Sequence, residues 1–542
     1  MRGFIAVISL FLIMSSLAVP EGTDLDAKIG QMLMVWFEGP EVGPEVESII
    51  RDFNVGGVVL FRWAGNLETA EQIAELTSSI QNVAKSENKP PLFISLDQEG
   101  GNVVRIPGAT DFPGNMALGA TGREDYAYSV GNIIGNELSA LGINMDLAPV
   151  MDVNVNPDNP VIGLRSFGED PELVSRLGSA YVRGLKDSSV ISVGKHFPGH
   201  GDTATDSHTG LPVVNYSTDV LERIHLKPFA DAIKQGLPCI MTAHIIVDAL
   251  DKERPATLSE AVLTDLLRKR MGFKGVIMTD AMNMAAISQY YGPMERASVE
   301  AIKAGADIVL MPQREDDWYG SIKSTIYEIK KAVESGEISE KRIDESYARI
   351  MNLKKGISVK PSAPAKVGSK EHKDRELEIA RSAITLVRDN EKIVPLNVSG
   401  KLLVVVPTAT FSAAEDPSLE ASSPGYHIKR YHDNTKVVEV KTDPDFTDLR
   451  RAVSEATSSE AVIIFTQRAK SNKGQITLTK KILELKKPTV VVSMDVPYDI
   501  GSFPEAGTCI AIYGKKDCNL RALADVLFGK TEPEGKLPVT VA

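Results

Sequence analysis

Short apolar runs alternate with longer amphipathic segments between Gln31 and Met311. Each run spans only a few residues and is bounded by polar residues or glycine, which is typical of strands buried on both faces. Eight of these runs predict strands: Met32–Phe37, Gly57–Phe61, Leu92–Leu96, Met145–Val150, Ile191–Val193, Ile240–Ala243, Gly275–Met278 and Asp307–Met311.

The intervening segments have the apolar spacing of helices. The predicted helices include Thr69–Val83, Tyr126–Leu141, Pro171–Leu185, Leu221–Lys234 and Leu258–Arg270, with Ile322–Val333 and Arg342–Leu353 after the last strand. Asp170-Pro171 and Ser259-Glu260 are residue types that begin helices, while Gly142, Gly236 and Gly272 are typical of helix ends.

Strand–helix alternation repeated eight times predicts an α/β protein with a (β/α)₈ barrel of about 250 residues or slightly more. An open, doubly wound parallel sheet is the main alternative. In both folds the residues that follow the strands collect at one edge of the sheet, where α/β enzymes hold their active sites.

A second, smaller α/β domain is predicted after the barrel. Residues 356–372 form the predicted linker, because prolines, serines and lysines interrupt any periodicity there. The predicted domain boundaries are 24–355 and 373–542. Strands are predicted at Leu402–Val406, Ala461–Phe465, Thr489–Val492 and Cys509–Tyr513, and helices at Leu377–Ala383, Leu449–Ala456 and Leu520–Leu527.

The first residues have the pattern of an export signal. Arg2 precedes an apolar run from Phe4 to Met14, and Ser16-Leu17-Ala18 has the small-x-small pattern of a cleavage site. The run is too short to span a bilayer comfortably. We predict a signal peptide over residues 1–18 and a periplasmic or extracellular protein without stable membrane insertion after cleavage, the alternative being an uncleaved anchor.

Composition narrows the classes of function. The 542 residues are 43% hydrophobic and 24% charged, as in ordinary globular proteins of more than one domain. The net charge of −12 argues against nucleic acid or an anionic membrane as a partner. Cys239 is expected to be an inert core residue, whereas pairing of Cys509 with Cys518 is left open, as is the oligomeric state.

The densest polar cluster follows the fifth predicted strand. The fifteen positions from Gly194 to His208 hold three of the eight histidines, two aspartates, a lysine and three glycines. A buried segment rarely carries so many polar groups, since each needs a hydrogen-bonding partner. Other predicted strands also end in polar residues: Asp97 after the third, Asp152 and Arg165 after the fourth, His244 after the sixth and Asp280 after the seventh.

Metal-assisted hydrolysis is one chemistry that this set of residues could support. Its ligands would be His196, His200, Asp202 and His208. However, His196 and His200 are separated by Pro198-Gly199, so they cannot form an i, i+4 pair on a helix. We therefore predict no metal and no other cofactor.

Displacement at an acetal carbon is the chemistry we favour. A retaining glycosidase needs a carboxylate on one face of the sugar and a proton donor on the side of the leaving group. Asp280, at a rigid strand end, suits the nucleophile. Asp206 lies two residues before His208, so an Asp–His dyad can supply the proton.

Several of these residues also have structural alternatives. Asp280 could cap the following helix. Arg165 could pair with Glu169 or Asp170, and Asp206 could be a turn residue. His200 and Asp202 are expected to support the loop rather than take part in chemistry, because glycines surround them.

The polar loop and several other motifs resemble the β-N-acetylglucosaminidases of glycoside hydrolase family 3. The resemblance covers nearly all of the chain after the predicted signal peptide. Its motifs are Lys195-His196-Phe197-Pro198-Gly199-His200-Gly201-Asp202-Thr203-x-x-Asp206-Ser207-His208, Asp97-Gln98-Glu99-Gly100-Gly101, Arg165-Ser166-Phe167-Gly168-Glu169-Asp170, Asp280, Gly336-x-Ile338-Ser339-x-x-Arg342-Ile343-Asp344 and Phe528-Gly529-x-x-x-Pro533-x-Gly535-Lys536-Leu537-Pro538.

The resemblance implies a catalytic barrel followed by an α/β sandwich domain. It implies Asp280 as the nucleophile, His208 as the acid/base and Asp206 as the partner of His208. It further implies a set of residues that grip the terminal sugar: Asp97, Arg105, Arg165, Lys195 and His196. The expected activity is retaining, exo-acting hydrolysis of terminal β-linked N-acetylglucosamine in cell-wall or chitin-derived oligosaccharides. A β-glucosidase or xylosidase of the same family, and a phosphorylase, are the alternatives.

Overall fold

The computed structural model describes residues 24–312, 317–357, 363–409 and 423–541. The predicted signal peptide, residues 1–18, lies outside these ranges, as does the middle of the predicted linker, residues 358–362. Within the described ranges, no helix has both the length and the apolar character needed to cross a membrane.

The first domain is a barrel of parallel strands. Its described strands are β1 (Leu33–Val35), β2 (Gly57–Val59), β3 (Phe93–Leu96), β4 (Met145–Asp146), β5 (Ile191–Phe197), β6 (Val213–Val214), β7 (Cys239–Thr242), β8 (Ile246–Val247), β9 (Val276–Met278) and β10 (Val309–Met311). Eight of them form one sheet in the order β10-β1-β2-β3-β4-β5-β7-β9, and a bridge between Met278 and Ile308 joins its two edges. The predicted (β/α)₈ barrel is confirmed, and each predicted barrel strand is present.

Helices surround the barrel, and most of them bury their apolar sides against it in one continuous core. They are α1 (Leu25–Gln31), α2 (Pro44–Phe53), α3 (Ala70–Ser86), α4 (Asn115–Thr121), α5 (Glu124–Ala140), α6 (Pro171–Asp187), α7 (Thr218–Val220), α8 (Leu226–Lys234), α9 (Ala285–Ser288), α10 (Met294–Ala304), α11 (Trp318–Glu334) and α12 (Glu340–Lys354). Two segments are π-helical, Leu221–His225 and Ala261–Arg270, and two are 3₁₀ turns, Gly163–Arg165 and Ala256–Leu258.

The predicted start and end of two helices are observed in the structure. The Asp170 side chain caps α6 by accepting a hydrogen bond from the Glu172 backbone N–H at 3.0 Å. Gly142 follows α5 with a φ of +76°, a left-handed conformation that favours glycine at helix ends.

Strand β5 is longer than the sequence pattern predicts. The predicted strand ends at Val193, but β5 continues to Phe197, with an irregular register against β7. Lys195 and His196 therefore lie within the strand, and their exposed fractions are only 1% and 6%. A hydrophobicity pattern ends a strand at its first charged residue, whereas the folded protein buries these side chains by pairing them.

The second domain is the α/β sandwich that the resemblance implied. Its strands are β11 (Thr385–Asp389), β12 (Leu402–Pro407), β13 (Thr435–Val440), β14 (Ala461–Thr466), β15 (Thr489–Ser493) and β16 (Thr508–Ala511), and its helices are α13 (Lys370–Ala383), α14 (Pro424–Lys429), α15 (Phe446–Thr457), α16 (Lys473–Leu483) and α17 (Asp517–Leu527). A 3₁₀ segment spans Pro497–Ser502. The sheet order is β11-β16-β15-β14-β12-β13, with β11 antiparallel to its neighbour. Helix α13 begins inside the residues predicted as linker.

Two hydrophobic cores lie on opposite faces of this second sheet. Leu403 of β12 belongs to one core, and its neighbour Val404 belongs to the other. Cys509 lies in the first core and Cys518 in the second, so the sheet separates them. Neither forms a disulfide, and Cys239 is also free and buried, as expected for a core residue.

The second domain also contacts the barrel directly. The Glu376 carboxylate of α13 accepts two backbone hydrogen bonds, each of 3.0 Å, from the loop that follows β3. Near the end of the second domain, the Lys536 N–H donates to the Ala120 carbonyl at 2.9 Å, and the Pro538 carbonyl accepts from the Glu169 N–H at 3.1 Å. These contacts fix the second domain to the barrel loops that surround the candidate site.

Candidate active site

A cavity of about 1030 Å³ opens at the carboxyl ends of the barrel strands. Functional residues of (β/α)₈ barrels project from this end. Seven of the eight predicted site residues line the cavity: Asp97, Arg105, Arg165, Lys195, His196, His208 and Asp280. The eighth, Asp206, reaches it through His208.

A buried ion cluster forms one wall of the cavity. Lys195 Nζ lies 2.7 Å from Asp97 Oδ1 and 2.7 Å from Glu99 Oε1. Burial opposes the charge of Glu99, but Arg165 and Lys195 outweigh it and hold the pKa of Glu99 well below its usual range. Burial likewise opposes the Lys195 charge, yet Asp97 and Glu99 raise the pKa of Lys195 above its ordinary value. Glu99 and Lys195 are therefore both ionised at neutral pH.

Arg165 is held in place by Glu99. Its Nε and Nη2 donate to the two carboxylate oxygens of Glu99 at 2.9 and 2.8 Å, a bidentate pair. The alternative pairing of Arg165 with Glu169 or Asp170 is therefore wrong. The partner comes from a different barrel loop, which fixes the Arg165 guanidinium at the cavity wall.

His196 is oriented by a buried aspartate. Asp152 can only accept, so His196 Nδ1–H donates to its Oδ2 at 2.7 Å, which leaves Nε2 toward the cavity side and Arg165. Asp152 also accepts from the His200 backbone N–H at 2.6 Å. Its carboxylate thus joins the end of β5 to the start of the following loop.

His208 and Asp206 form a dyad on the loop after β5. Asp206 Oδ1 accepts from both the His208 backbone N–H at 2.9 Å and the His208 Nδ1–H at 2.7 Å. This contact fixes the tautomer and leaves Nε2 as the nitrogen that can exchange a proton with a bound molecule. Burial opposes the charge of Asp206, but its bonds to His208 lower its pKa. Asp206 therefore both forms the turn and orients the ring.

Asp280 follows β9 and faces the same cavity as His208. Its Oδ1 accepts from the Ala281 N–H at 2.7 Å. Burial disfavours its charge, but His196, His244 and His208 together lower the pKa of Asp280 to about 2. The next helix, α9, begins at Ala285 with Met284 at its cap position, so Asp280 does not cap it. An ionised carboxylate at this position suits a nucleophile.

His244 supports the backbone beside Asp280. A carbonyl can only accept, so His244 Nε2–H donates to the Ala281 carbonyl at 3.0 Å, while Nδ1 lies 2.7 Å from Thr257 Oγ1. Burial lowers the pKa of His244, so the ring is neutral near pH 7, and its charge acts on Asp280 only in acid solution. His244 therefore holds the backbone next to Asp280 in place through the Ala281 carbonyl.

His200 supports the loop that carries the dyad. Its ring nitrogens lie 2.8 Å from Thr203 Oγ1 and 3.0 Å from Ser207 Oγ, and burial lowers its pKa to about 4. The Ser207 carbonyl in turn accepts from the Ala286 N–H at 3.3 Å, which links this loop to α9. In the described part of the chain, no group of three or more His, Cys, Asp or Glu side chains is arranged to hold a metal ion.

Sequence reasoning missed two features of the cavity wall. The sequence predicts no role for Glu99, although a second acid two residues after Asp97 and beside two glycines is a detectable signal. Phe61 and Trp63 also line the cavity. Phe61 ends a predicted buried strand and Trp63 has no predicted role, so the pattern alone contains no sign of this position.

The arrangement can perform displacement at a carbon bound to two oxygens. It offers an ionised carboxylate, an imidazole with an oriented Nε2, and fixed cations and carboxylates that can hydrogen-bond to hydroxyl and amide groups. All of these groups face one cavity.

Comparisons with known proteins identify the family of the chain. The family model for the glycosyl hydrolase family 3 N terminal domain matches residues 24–353, and that for the family 3 C-terminal domain matches residues 384–542. Beta-hexosaminidase A of Pseudoalteromonas piscicida is 35% identical over 551 residues, covering 92% of this chain and 91% of that protein. A beta-N-acetylglucosaminidase/beta-glucosidase of Cellulomonas fimi is 27% identical over 548 residues, covering 95% and 93%.

A solved structure has the same architecture throughout. The glycoside hydrolase family 3 beta-N-acetylglucosaminidase from Paenibacillus sp. str. FPU-7 superposes with a TM-score of 0.90 at 37% identity, covering 96% of this chain and 99% of that one.

Proposed function

The chain belongs to glycosyl hydrolase family 3 and is a glycoside hydrolase of the β-N-acetylhexosaminidase type, and from this premise we propose that it is a retaining, exo-acting β-N-acetylglucosaminidase. Its substrates are terminal β-linked N-acetylglucosamine residues of cell-wall or chitin-derived oligosaccharides. One observation carries the proposal: the Asp206–His208 dyad presents His208 to the cavity that Asp280 also lines.

The first step forms a covalent glycosyl-enzyme. An Asp280 oxygen attacks the anomeric carbon as the bond from that carbon to the leaving oxygen breaks. His208 Nε2–H gives its proton to the leaving oxygen, so the leaving group departs as a neutral alcohol. The Asp206 carboxylate accepts the His208 Nδ1–H at 2.7 Å, so Nε2 is the nitrogen that gives the proton.

The second step releases the sugar. His208 Nε2 takes a proton from a water molecule, and the water oxygen attacks the anomeric carbon from the side that the leaving group vacated. The bond to Asp280 breaks, the carboxylate is restored, and the product keeps the β configuration. The low pKa of Asp280, about 2, supports its departure as a carboxylate.

The terminal sugar is held by the charged wall of the cavity. Asp97 can accept hydrogen bonds from hydroxyl groups, and Arg105, Arg165 and Lys195 can donate to hydroxyl or acetamido oxygens. These side chains are fixed by their mutual ion pairs, so little side-chain ordering is needed when the sugar binds.

The test combines stereochemistry with covalent labelling. Proton NMR of the reaction should show the β anomer of N-acetylglucosamine first, before mutarotation. A 5-fluoro glycosyl fluoride of N-acetylglucosamine should label the peptide that contains Asp280, as read by mass spectrometry. Asp280→Asn should remain unlabelled and lose nearly all turnover.

Three results would contradict the proposal. They are α-anomer as the first product, near-normal turnover by Asp280→Asn, and faster hydrolysis of an aryl glucoside than of the matching aryl N-acetylglucosaminide. The same assays in phosphate buffer test for phosphorolysis, whose product would be a sugar 1-phosphate instead of free sugar.

The proposal includes export to the periplasm or the medium, on the basis of the N-terminal pattern of residues 1–18. Cell fractionation and N-terminal sequencing of the mature protein test it. Recovery of full-length protein from the cytoplasm alone would contradict it.

A further inference from the structure

A short segment of the second domain supports the barrel turn that carries Arg165. The segment is the 3₁₀ turn Pro497–Ser502, which we call the contact turn. Its Tyr498 hydroxyl accepts a hydrogen bond from Asn154 Nδ2 at 3.0 Å, and Asn154 Oδ1 accepts from the Gly163 N–H at 3.1 Å. Two hydrogen bonds therefore connect the contact turn to the start of the turn that ends at Arg165.

Apolar packing supports the same contact. Leu164, in the middle of the barrel turn, packs against the second-domain core that contains Tyr498. Val496, just before the contact turn, lies so near Gly163 that a Cβ on this glycine would be 3.3 Å from Val496 Cγ1. A shift of the contact turn would therefore also shift the residues that precede Arg165.

The contact turn contains a buried carboxyl group that the chemistry above does not use. Asp499 is 2% exposed, and its Oδ1 accepts from the Ala469 backbone N–H at 2.7 Å. Its Oδ2 is buried without a hydrogen bond of normal geometry in the described chain, and the Thr466 hydroxyl is the polar group beside it. A carboxylate held in this way has lost water without gaining a full set of donors.

The surroundings of Asp499 favour its neutral form. Burial is the largest influence, and it outweighs the hydrogen bonds that stabilise the charge. Among the charged groups that face Asp499, the Asp495 carboxylate also disfavours its ionisation, whereas the exposed Lys470 favours it. The Arg468 guanidinium donates to Asp495 at 3.1 Å. Together these influences raise the pKa of Asp499 from 3.8 to about 7.

We propose that Asp499 is a positioning residue for substrate binding: as a neutral acid it keeps the contact turn against the barrel, and as a carboxylate it loosens that turn. The inference rests on the proposed function for its substrate. A buried charge is costly unless it is paired, so the ionised side chain is drawn toward water and the contact turn moves with it. The movement weakens the bond from Asn154 to Tyr498 and thereby the support of Arg165.

The test measures KM and kcat for N,N′-diacetylchitobiose between pH 5.5 and 8.5. Asp499→Asn is uncharged at every pH and keeps an oxygen that can accept from the Ala469 N–H. The ratio of KM for the unaltered enzyme to KM for the variant should rise from about 1 at pH 5.5 to about 3–5 at pH 8.5, with its midpoint near pH 7. The two kcat values should agree within about twofold at each pH, because the catalytic groups stay in place.

Tyr498→Phe shows whether Asp499 acts through the domain contact. In this background, Asp499→Asn should alter the pH dependence of KM by less than about twofold, because the hydroxyl that carries the effect is absent. Asp433→Asn is the matched control, since it changes an exposed aspartate of the same domain. It should leave KM and kcat unchanged at each pH.

Thermal unfolding gives a readout that needs no substrate. As the pH rises from about 4 to about 7, the unfolded chain loses the Asp499 proton while the folded protein retains it, so the folded state loses stability. Asp499→Asn has no such loss. Its unfolding midpoint should therefore exceed that of the unaltered protein by an amount that grows over this range and is constant at higher pH.

Three results would overturn the inference. They are a KM ratio that does not change with pH, a pH effect of Asp499→Asn that is equally large with Phe at position 498, and a difference in unfolding midpoint that is the same at every pH. The proposed function would stand in each case. Failure of the unaltered enzyme to hydrolyse the disaccharide would instead remove the proposed function, and the unfolding comparison would still test the titration of Asp499.

Discussion

The hydrogen bond between Asp206 and His208 determines which nitrogen of the imidazole is left to face a substrate. Because Nδ1 is occupied at 2.7 Å, Nε2 alone can serve as acid and base. Serine hydrolases use an aspartate in the same orienting role. Here both members of the dyad come from one loop, two residues apart.

Asp206→Asn tests that role. An asparagine amide can donate to Nδ1 and stabilise the wrong tautomer, and it offers no charge to the imidazolium. We expect kcat/KM for a disaccharide substrate to fall by about 10²- to 10⁴-fold. The loss should be much smaller for a dinitrophenyl glycoside, whose leaving group needs no proton.

Asp202→Asn is the matched control, since Asp202 lies on the same loop and has no assigned part in the reaction. It should stay within a few-fold of the unaltered enzyme on both substrates. A uniform loss for Asp206→Asn across the two leaving groups would argue against acid catalysis by the dyad.

Glu99 should make the stability of the protein depend on pH. Its pKa in the folded state is well below the ordinary value of 4.5, because Arg165 and Lys195 outweigh burial. Unfolded chains therefore bind more protons as the pH falls below about 4.5. The stability that Glu99 contributes is fully present above that pH and is lost progressively as the solution becomes more acidic.

Glu99→Gln removes this dependence. The variant should be less stable than the unaltered protein by about 3–5 kcal/mol at pH 7, since it leaves Arg165 buried without its carboxylate. The difference in thermal unfolding midpoint should shrink as the pH is lowered from 6 toward 3.5. A difference that stays constant over that range would show that Glu99 does not titrate as stated.

At the scale of strands and loops, the sequence predicted most of the barrel because its strands are continuous apolar runs. It missed β11 and β13, the two edge strands of the second sheet, where partly or fully exposed residues interrupt the buried ones and no such run exists. It also ended β5 too early, since Lys195 looks like a loop residue until its partners Asp97 and Glu99 are known. The end of a strand cannot be assigned from the local pattern when its last residues are charged and pair with side chains that follow another strand.

Asp307 ties several elements together at the opposite rim of the barrel. It precedes β10, is fully buried, and accepts from Arg268, from Arg349 at 2.9 Å and from Ser346 at 2.7 Å. Burial opposes its charge, but the surrounding arginines hold its pKa below the ordinary value. The arginines come from two helical segments that close the barrel.

Asp307→Asn should therefore destabilise the barrel by about 3–5 kcal/mol, because buried guanidinium groups lose their counter-charge. Calorimetry should show a lower unfolding temperature, while kcat of the folded enzyme at 25 °C should change by less than about twofold. Asp265→Asn, which removes an exposed pair with Lys269, should cost under about 0.5 kcal/mol. A large loss of kcat with unchanged stability would contradict this assignment.

At the scale of the whole molecule, the second domain holds a loop that lines the cavity. Asn154, in the loop after β4, donates to the Tyr498 hydroxyl of the second domain at 3.0 Å and accepts from the Gly163 N–H at 3.1 Å. Gly163 begins the turn that ends at Arg165. A contact between residues so far apart in sequence leaves no local signal, so the sequence predicted two domains but not this link.

Tyr498→Phe removes only the hydroxyl that Asn154 contacts. We expect KM for the disaccharide to rise about five- to tenfold, with kcat nearly unchanged, because Arg165 loses support while the dyad and Asp280 are untouched. Tyr431→Phe is the control, since its hydroxyl bonds to Asp525 within the second domain. Equal effects of the two variants on KM would show a general loss of stability instead of a specific link.

The placement of Asp206 and His208 on a single loop has one more consequence. Any movement of that loop carries the His208 ring and the Asp206 carboxylate together. The position of the ring can therefore change without a change in its hydrogen bond to Asp206. Substitutions elsewhere in the loop should then change kcat in proportion to the fraction of time that the loop spends in position. The shape and the midpoints of the pH–rate profile should stay the same. Mutations in such a loop can alter turnover while the hydrogen bond between Asp206 and His208 is kept.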